Sequence, residues 1–479
     1  MSFPDARGSE PDETEAAARL AFEEASAWLS GLDERQVLPE GADEAAAGFG
    51  GPLPEEGSGA VDALRELVGG LDAATASPGP RFFHFVTGGV TPAALGADWL
   101  TTALDQNAFS WVGSPLGTRL ETVAVDWLKQ LFELPAAWGG VLTTGATAAN
   151  FTALAAARQW WGEEHGRDVG ADGAAGLPAT PVLSSGFVHP SARKALAELG
   201  IGRDAVRTFS RDEVGRIDLP GLERGLKELG GAPAILIGNA GEVNAGEFDP
   251  LEALADLAEE HGAWLHVDGA FGLFARLSPR SAALAAGVER ADSVIADGHK
   301  WLNVPYDCGF AFVRDAALPA KVFSLAAAYL PDEEPEPTYG YLSPESSQRA
   351  RSLVVWAALR AWGRAGYREM VERHLDLAQR LAAAVDDAPD LERLADVPLN
   401  IVCFRFRPPG VPEAELNELN ARLGDDVLAD GRVYVGTTSF GGTVAFRPAI
   451  VNWRTREGDV DLFVEVVREL GAVLLAGTK

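Results

Sequence analysis

Two apolar runs in this chain end in residues able to do covalent chemistry. In Leu265-His266-Val267-Asp268-Gly269-Ala270 the run closes on a carboxylate followed by small residues. In Asp297-Gly298-His299-Lys300-Trp301-Leu302 a lysine stands beside a histidine and ahead of a second apolar stretch. An acid withdrawn from water at a strand tip needs a cationic partner, and a lysine amine can attack a carbonyl carbon. Together they supply what pyridoxal 5′-phosphate (PLP) requires: an amine to form the Schiff base, and a carboxylate that keeps the pyridine nitrogen protonated so that the ring accepts electrons. Taken singly, Asp268 also reads as a helix cap or surface acid, and Lys300 as a solvated lysine. Their joint arrangement on successive strand ends favours the cofactor. Lysines are few here (Lys129, Lys194, Lys227, Lys300, Lys321 and Lys479), so one in a structured context stands out.

A third segment, Val141-Leu142-Thr143-Thr144-Gly145-Ala146-Thr147-Ala148-Ala149-Asn150, runs from a strand through a small-residue turn into a helix that continues past Arg158. Such a turn lets backbone N–H groups and the helix N-terminus approach a phosphate, with the Thr147 hydroxyl as a further donor. Strand–Gly–helix turns also occur without any phosphate. His189 follows the Val182–Ser185 run and precedes Pro190-Ser191; it reads either as a structural histidine or as a flat ring stacked on another.

The elements that must position these residues alternate. From about Asp98 to Val313, helical patterns separate short apolar runs at Val141–Thr143, Val182–Ser184, Ala234–Ile237, Trp264–Val267 and Ser293–Ile295. That alternation predicts an α/β domain with a mostly parallel sheet, whose ligands bind beyond the carboxyl ends of the strands. Ahead of it, helical spacing at Glu13–Leu32 and Val61–Ala74, joined by a Gly-, Pro- and acid-rich connection, predicts an N-terminal helical arm over residues 1–80. The large domain is expected over 81–350, and a small α+β domain over 351–479. In the small domain a helix over Arg351–Val385 precedes strand-like runs at Asn400–Phe406, Val433–Thr437 and Thr443–Arg447. The Pro-, Glu- and Ser-rich stretch Leu330–Ser347 reads as an exposed loop long enough to act as a lid.

Composition narrows the function classes. The formal net charge is −30, and no basic stripe interrupts it, which argues against nucleic-acid partners and anionic membrane surfaces. No apolar run approaches the roughly 18 residues of a membrane helix, and the acidic start lacks the pattern of an export signal, so a cytoplasmic protein is expected. Cys308 and Cys403 lack metal-ligand spacing and are expected to be reduced, and no metal site is predicted.

These motifs resemble a known family. The run from Phe82 to Trp111, Ser114-Pro115, Leu120-Glu121-Thr122 before Asp126-Trp127-Leu128, the Thr-Gly-Ala-Thr turn, the His-Val-Asp segment and the His-Lys-Trp-Leu segment follow one another as in the group II PLP-dependent decarboxylases, the aromatic-amino-acid and glutamate decarboxylase family. The resemblance implies the type I, aminotransferase-like fold: a mostly parallel central sheet with helices on both faces, in a homodimer whose active site lies at the subunit interface. It implies Lys300 as the Schiff-base lysine, Asp268 as the partner of the pyridine nitrogen and His189 as the ring-stacking residue. Ala146, Thr147 and His299 become phosphate neighbours, and Ala270 joins the cofactor site. A loop tyrosine from the other subunit, matching Tyr339 with Tyr341 as the near alternative, protonates the carbanion formed when carbon dioxide leaves. Phenylalanine there often accompanies oxidative deamination, so a tyrosine favours plain decarboxylation.

There are departures from the family pattern. Asp297-Gly298 stands where the family usually has Asn-Pro, and an ionised aspartate cannot donate to a phosphate. In the Gly241–Glu247 turn a family hydroxyl gives way to Asn244. Phe85, Val86, Thr87, Asn107 and Phe109 match the substrate-pocket segments and suggest a more polar pocket than in aromatic decarboxylases. Arg447 resembles a family arginine near the active site, with a structural ion pair as the alternative. The expected reaction is decarboxylation of an L-amino acid to its amine. The competing readings are an aldehyde synthase, lyase or aminotransferase on the same fold, and a non-catalytic dimeric scaffold.

Overall fold

A seven-stranded sheet in the order β1-β7-β6-β5-β4-β2-β3 forms the centre of the protein. The structure is a computed structural model and describes residues 10–325 and 335–477. The strands are β1 (Gly139–Thr143), β2 (Val182–Ser184), β3 (Val206–Thr208), β4 (Ile235–Asn239), β5 (Trp264–Asp268), β6 (Ser293–Asp297) and β7 (Gly309–Val313). β3, β2, β4, β5 and β6 pair parallel, and β7 runs antiparallel to both β6 and β1. The sheet is thus mostly parallel, as the alternation predicts. β3 and β7 were not anticipated. β3 is short and buries only Val206, while β7 follows β6 through an irregular connection that contains no helix of any kind.

Strands β4 to β7 are buried along their whole length, which is why they read as near-continuous apolar runs. Alternate residues face opposite layers. Leu236, Leu265, Val267, Val294 and Ala296 join the core under the helices Pro115–Phe132 and Leu251–His261. Ile235, Ile237 and Trp264 join a second core with Leu154 and Ala156 of the helix Ala146–Glu164 and with Leu196. Period two then puts His266 and Asp268 of β5, and Ser293 and Asp297 of β6, on the face covered by the Ala146 helix.

The C-terminal sheet, β10-β11-β9-β8, is antiparallel: β8 (Leu391–Arg393), β9 (Phe404–Phe406), β10 (Thr437–Phe440) and β11 (Thr443–Phe446). Phe404, Phe406, Phe446 and Phe463 fill its core beneath the helix Glu457–Gly477. Phe83 is buried in that same cluster, and Phe82 stacks on Tyr434 with ring centroids 4.9 Å apart. The aromatic cluster that opens the large-domain segment therefore ties it to the C-terminal sheet. The helix Ser352–Asp387 spans both parts, bending at Gly363, whose φ of 59° suits a residue without a Cβ. The N-terminal helix Glu10–Ser30 packs on the helix Ala60–Val68 and sets Phe22 edge-on against Trp99 at 5.5 Å. Of the expected lid, residues 330–334 lie outside the described residues, and Tyr339–Tyr341 forms a single 3-10 turn. Among the described residues no helix is long and apolar enough to cross a membrane.

Candidate active site

The carboxyl ends of β1, β4, β5 and β6 open into a cleft of about 400 Å³, within the size range of small-molecule sites. Strand register assembles it. Thr143 of β1 and Asp297 of β6 both pair with Gly309 of β7, so the turn after β1 arrives beside the end of β6. A Cβ at Gly309 would stand 2.5 Å from the Gly145 backbone, so only glycine allows this approach. Gly145 itself has φ 136°, again a glycine conformation, and starts the Ala146 helix with its first N–H groups facing the cleft end. Ala146, Thr147, Asp268, Ala270, His299, Lys300, His189, Phe85 and Val86 all line this one cleft, as do Arg447 and Tyr306.

Asp268 is buried and anchored from behind. Its Oδ1 accepts from Ala270 N at 3.2 Å and its Oδ2 from Asn150 Nδ2 at 3.0 Å. Asn150 Oδ1 is 2.8 Å from His266 Nε2, His266 Nδ1 is 2.9 Å from Ser293 Oγ, and Trp264 Nε1 donates to that hydroxyl at 3.0 Å. Donor and acceptor roles follow from the carboxylate end. Asp268 only accepts, so Asn150 gives it an amide N–H and its Oδ1 accepts from His266 Nε2–H; the neutral ring then has Nδ1 as an acceptor for the Ser293 hydroxyl proton, while Ser293 Oγ accepts from Trp264. Burial lowers the His266 pKa to about 4, which keeps the ring neutral as this relay requires.

Lys300 Nζ lies 3.0 Å from Asp297 Oδ2. Asp297 Oδ1 accepts from Ala146 N at 2.6 Å, and His299 Nε2 stands 3.5 Å from Oδ2. His299 is stacked on Tyr306 at 4.2 Å, and burial lowers its pKa. His189 caps the helix Pro190–Glu198: its Nδ1 is 2.7 Å from Ser191 Oγ and accepts from Ser191 N at 3.2 Å. Burial depresses its pKa too, leaving an uncharged ring in the cleft wall. The structural reading is met by the cap, and the same ring lines the cleft.

Arg447 reaches the cleft from the end of β11. Burial lowers its pKa, and its Nη1 is buried without a hydrogen-bond partner among the described residues. A guanidinium in that state is a ready receptor for a carboxylate. Glu242 lies near enough to interact with Arg447, but its two oxygens are taken by the backbone N–H groups of Asn244 and Ala245, and burial raises its pKa. Asn244 turns its Oδ1 to Thr438 Oγ1 at 2.8 Å; Glu242 and Val243 line the cleft beside it.

The remaining expected residues gather elsewhere. Thr87 is buried behind the wall, its hydroxyl 3.1 Å from Tyr306 Oη. Asn107 Oδ1 accepts from Phe109 N and Gln348 N, each at 3.1 Å. Phe109 O accepts from Gly340 N, and its ring meets Tyr341 edge-on at 5.4 Å. Tyr339 is buried with its hydroxyl 2.9 Å from Thr122 Oγ1. Asn107, Phe109, Tyr339 and Tyr341 thus form one group outside the cleft of their own chain. Sequence reasoning missed Tyr306 and the Asn150 relay. Asn150 stands one helical turn beyond Ala146, a spacing that could have placed it beneath the cradle. At the cleft mouth Phe85 is 61% exposed, and it and Val86 hold positive φ angles of 55° and 62°, a strained backbone of the kind that clusters at functional sites.

The cleft fits PLP on its own chemistry: an anchored carboxylate for a ring nitrogen, an amine for an aldehyde, a flat neutral wall, and a helix start for a phosphate. Among the described residues no histidine, cysteine and carboxylate grouping could hold a metal ion. Fold and cleft together define a PLP-dependent enzyme of the aminotransferase-like fold. The family model "Pyridoxal-dependent decarboxylase conserved domain" matches residues 63–407, and the chain belongs to that family. It is a PLP-dependent carboxy-lyase. It is 31% identical over 412 residues to an aromatic-L-amino-acid decarboxylase of Bacillus atrophaeus, covering 84% of each chain. It is 32% identical over 431 residues to an L-2,4-diaminobutyrate decarboxylase of Rhizobium meliloti, covering 87% of this chain and 83% of that one. The crystal structure of mouse CSAD superposes with a TM-score of 0.89 at 25% identity, over 96% of this chain and 99% of that one.

Proposed function

We propose that this chain decarboxylates an L-amino acid to the corresponding amine and carbon dioxide, with Lys300 as the lysine that carries the cofactor. The observation that carries the proposal is the convergence on one cleft of Lys300, the anchored Asp268 and the Arg447 guanidinium, whose buried Nη1 has no hydrogen-bond partner among the described residues. PLP, when bound, supplies an aldehyde for amine exchange and a ring that accepts the electron pair left as carbon dioxide departs. Asp268 holds a proton on the ring nitrogen, and the Asn150–His266 relay fixes that carboxylate in place. His189 and Ala270 line the space for the ring; the N–H groups of the Ala146 helix start and the Thr147 hydroxyl face the phosphate, with His299 beside them. Arg447 receives the substrate carboxylate, and Phe85, Val86 and Tyr306 form the mouth through which the side chain enters.

The chain's three units, 1–80, 81–350 and 351–479, act in a homodimer in this reading. Phe22, Leu100, Leu104 and Val112 are exposed large apolar side chains, and burial against a second copy is the ordinary outcome for such a surface. The group of Asn107, Phe109, Tyr339 and Tyr341, which does not line its own cleft, then serves the partner's cleft, where Tyr339 returns a proton to the α-carbon. Aromatic and diamino acids head the substrate candidates because the two relatives named above are decarboxylases of those classes. A panel of amino acids offered to the PLP-loaded protein tests the proposal. Matched release of carbon dioxide and amine supports it, whereas oxygen-dependent aldehyde, or turnover only with an added oxo acid, overturns it.

A further inference from the structure

Asp297 holds an unusual place for a carboxylate. It is 2% exposed, at the end of β6, with one oxygen on the leading amide of the Ala146 helix and the other on the Lys300 ammonium, and with His299 3.5 Å away. A helix start that faces an anionic ligand normally offers its first N–H groups to that ligand. Here a residue of the chain already occupies the first of them. An isosteric asparagine could keep the acceptor oxygen for Ala146 N without carrying the charge.

We propose that Asp297 is a resident anion in the phosphate cradle: a positioning residue that tethers the Lys300 amine and weakens the non-covalent grip on the cofactor phosphate. The inference rests on the PLP reading of the cleft. In it the phosphate is left with the later donors of the helix start, Thr147 among them, and the covalent link to Lys300 carries more of the retention. Asp297 keeps Ala146 N and His299 as partners whether or not Lys300 carries the cofactor, and it would stand beside a second anion when the phosphate is bound. A purely architectural role for Asp297 predicts the opposite result on substitution, because losing a structural contact loosens the cradle and weakens binding.

The test uses the full chain with Lys300→Ala, so that cofactor binding is non-covalent, with and without Asp297→Asn. PLP affinity is read from its absorption change, and inorganic phosphate affinity from competition against PLP. Asp297→Ser serves as a second uncharged variant should the asparagine chain fold poorly. The expected result is at least about fivefold tighter binding of both probes once the charge is removed. A smaller gain, no change or weaker binding of either probe overturns the inference. Borohydride trapping of PLP on the unsubstituted chain separates the two failures: an adduct on Lys300 with no gain in affinity sinks only the role of Asp297, and absence of any adduct sinks the cofactor reading itself.

Discussion

Asn150 Nδ2 donates to Asp268 Oδ2 at 3.0 Å while its own Oδ1 is held 2.8 Å from His266 Nε2. The Oδ2 side of the carboxylate meant for the ring nitrogen is therefore set by Asn150 and, behind it, by His266, Ser293 and Trp264, none of which lines the cleft. A hydrogen bond to a charged group contributes about 1.5–3 kcal/mol. Asn150→Ala should lower kcat by about 10- to 100-fold, with a smaller change in PLP affinity, because the missing support matters most as charge develops on the ring. Asp268→Ala should cost more, of order a thousandfold. Steady-state kinetics beside a PLP titration checks both; an Asn150→Ala enzyme with normal kcat would remove the relay from the account.

The Arg447 guanidinium has a buried nitrogen without a hydrogen-bond partner among the described residues, so its substitution should act on the substrate. Arg447→Met is expected to raise KM for the amino acid by about tenfold or more and to leave PLP affinity within a few-fold. Loss of cofactor binding with an unchanged KM would return Arg447 to a structural role.

The residues most legible in sequence were those marked by their local pattern. Asp268, Lys300 and the Gly145 turn each follow an apolar run, and the strand pattern alone brings them to one edge of the sheet. The antiparallel β7 was not legible, because nothing local marks a reversal, yet its Gly309 lets the turn after β1 reach Asp297. Asn150 was hidden differently: its partners, His266 and Asp268, lie more than a hundred positions downstream, and only the packed sheet joins them. The pocket expectation divided along the same line. Phe85 and Val86 reach the cleft of their own chain, whereas Asn107 and Phe109 cluster with the tyrosine turn, a contact between segments far apart in sequence.

That cluster predicts complementation. If Tyr339 acts in the partner's cleft, Lys300→Ala and Tyr339→Phe chains, each nearly inactive in amine formation, regain that activity when refolded together. Random pairing puts half the chains in mixed dimers, each with one intact site, so about a quarter of the native rate is expected. Mixtures no more active than their components would place the tyrosine in its own chain's cleft or outside the reaction.

Glu121 gives a prediction for stability against pH. Burial raises its pKa to about 8 from an ordinary 4.5, although it accepts a hydrogen bond from Leu142 N at 2.9 Å. Between those values the folded chain binds the extra proton, so stability from this group is full below pH 4.5 and is lost as the pH rises through about 8. Glu121→Gln should remove that slope, gaining on the native chain by at least about 1 kcal/mol between pH 5 and pH 8 in denaturant unfolding. His266, with its pKa lowered to about 4 from 6.5, acts oppositely, its contribution rising with pH between those two values. Parallel curves for the native chain and the Glu121→Gln variant would show that Glu121 is ionised in the folded protein.

The account rests on which amine takes the cofactor. Incubation with PLP, borohydride reduction and peptide mass spectrometry reads this directly. The prediction is a single reduced adduct on the peptide carrying Lys300, absent after Lys300→Ala. An adduct spread over Lys129, Lys194, Lys227 or Lys321, or none at all, would contradict it.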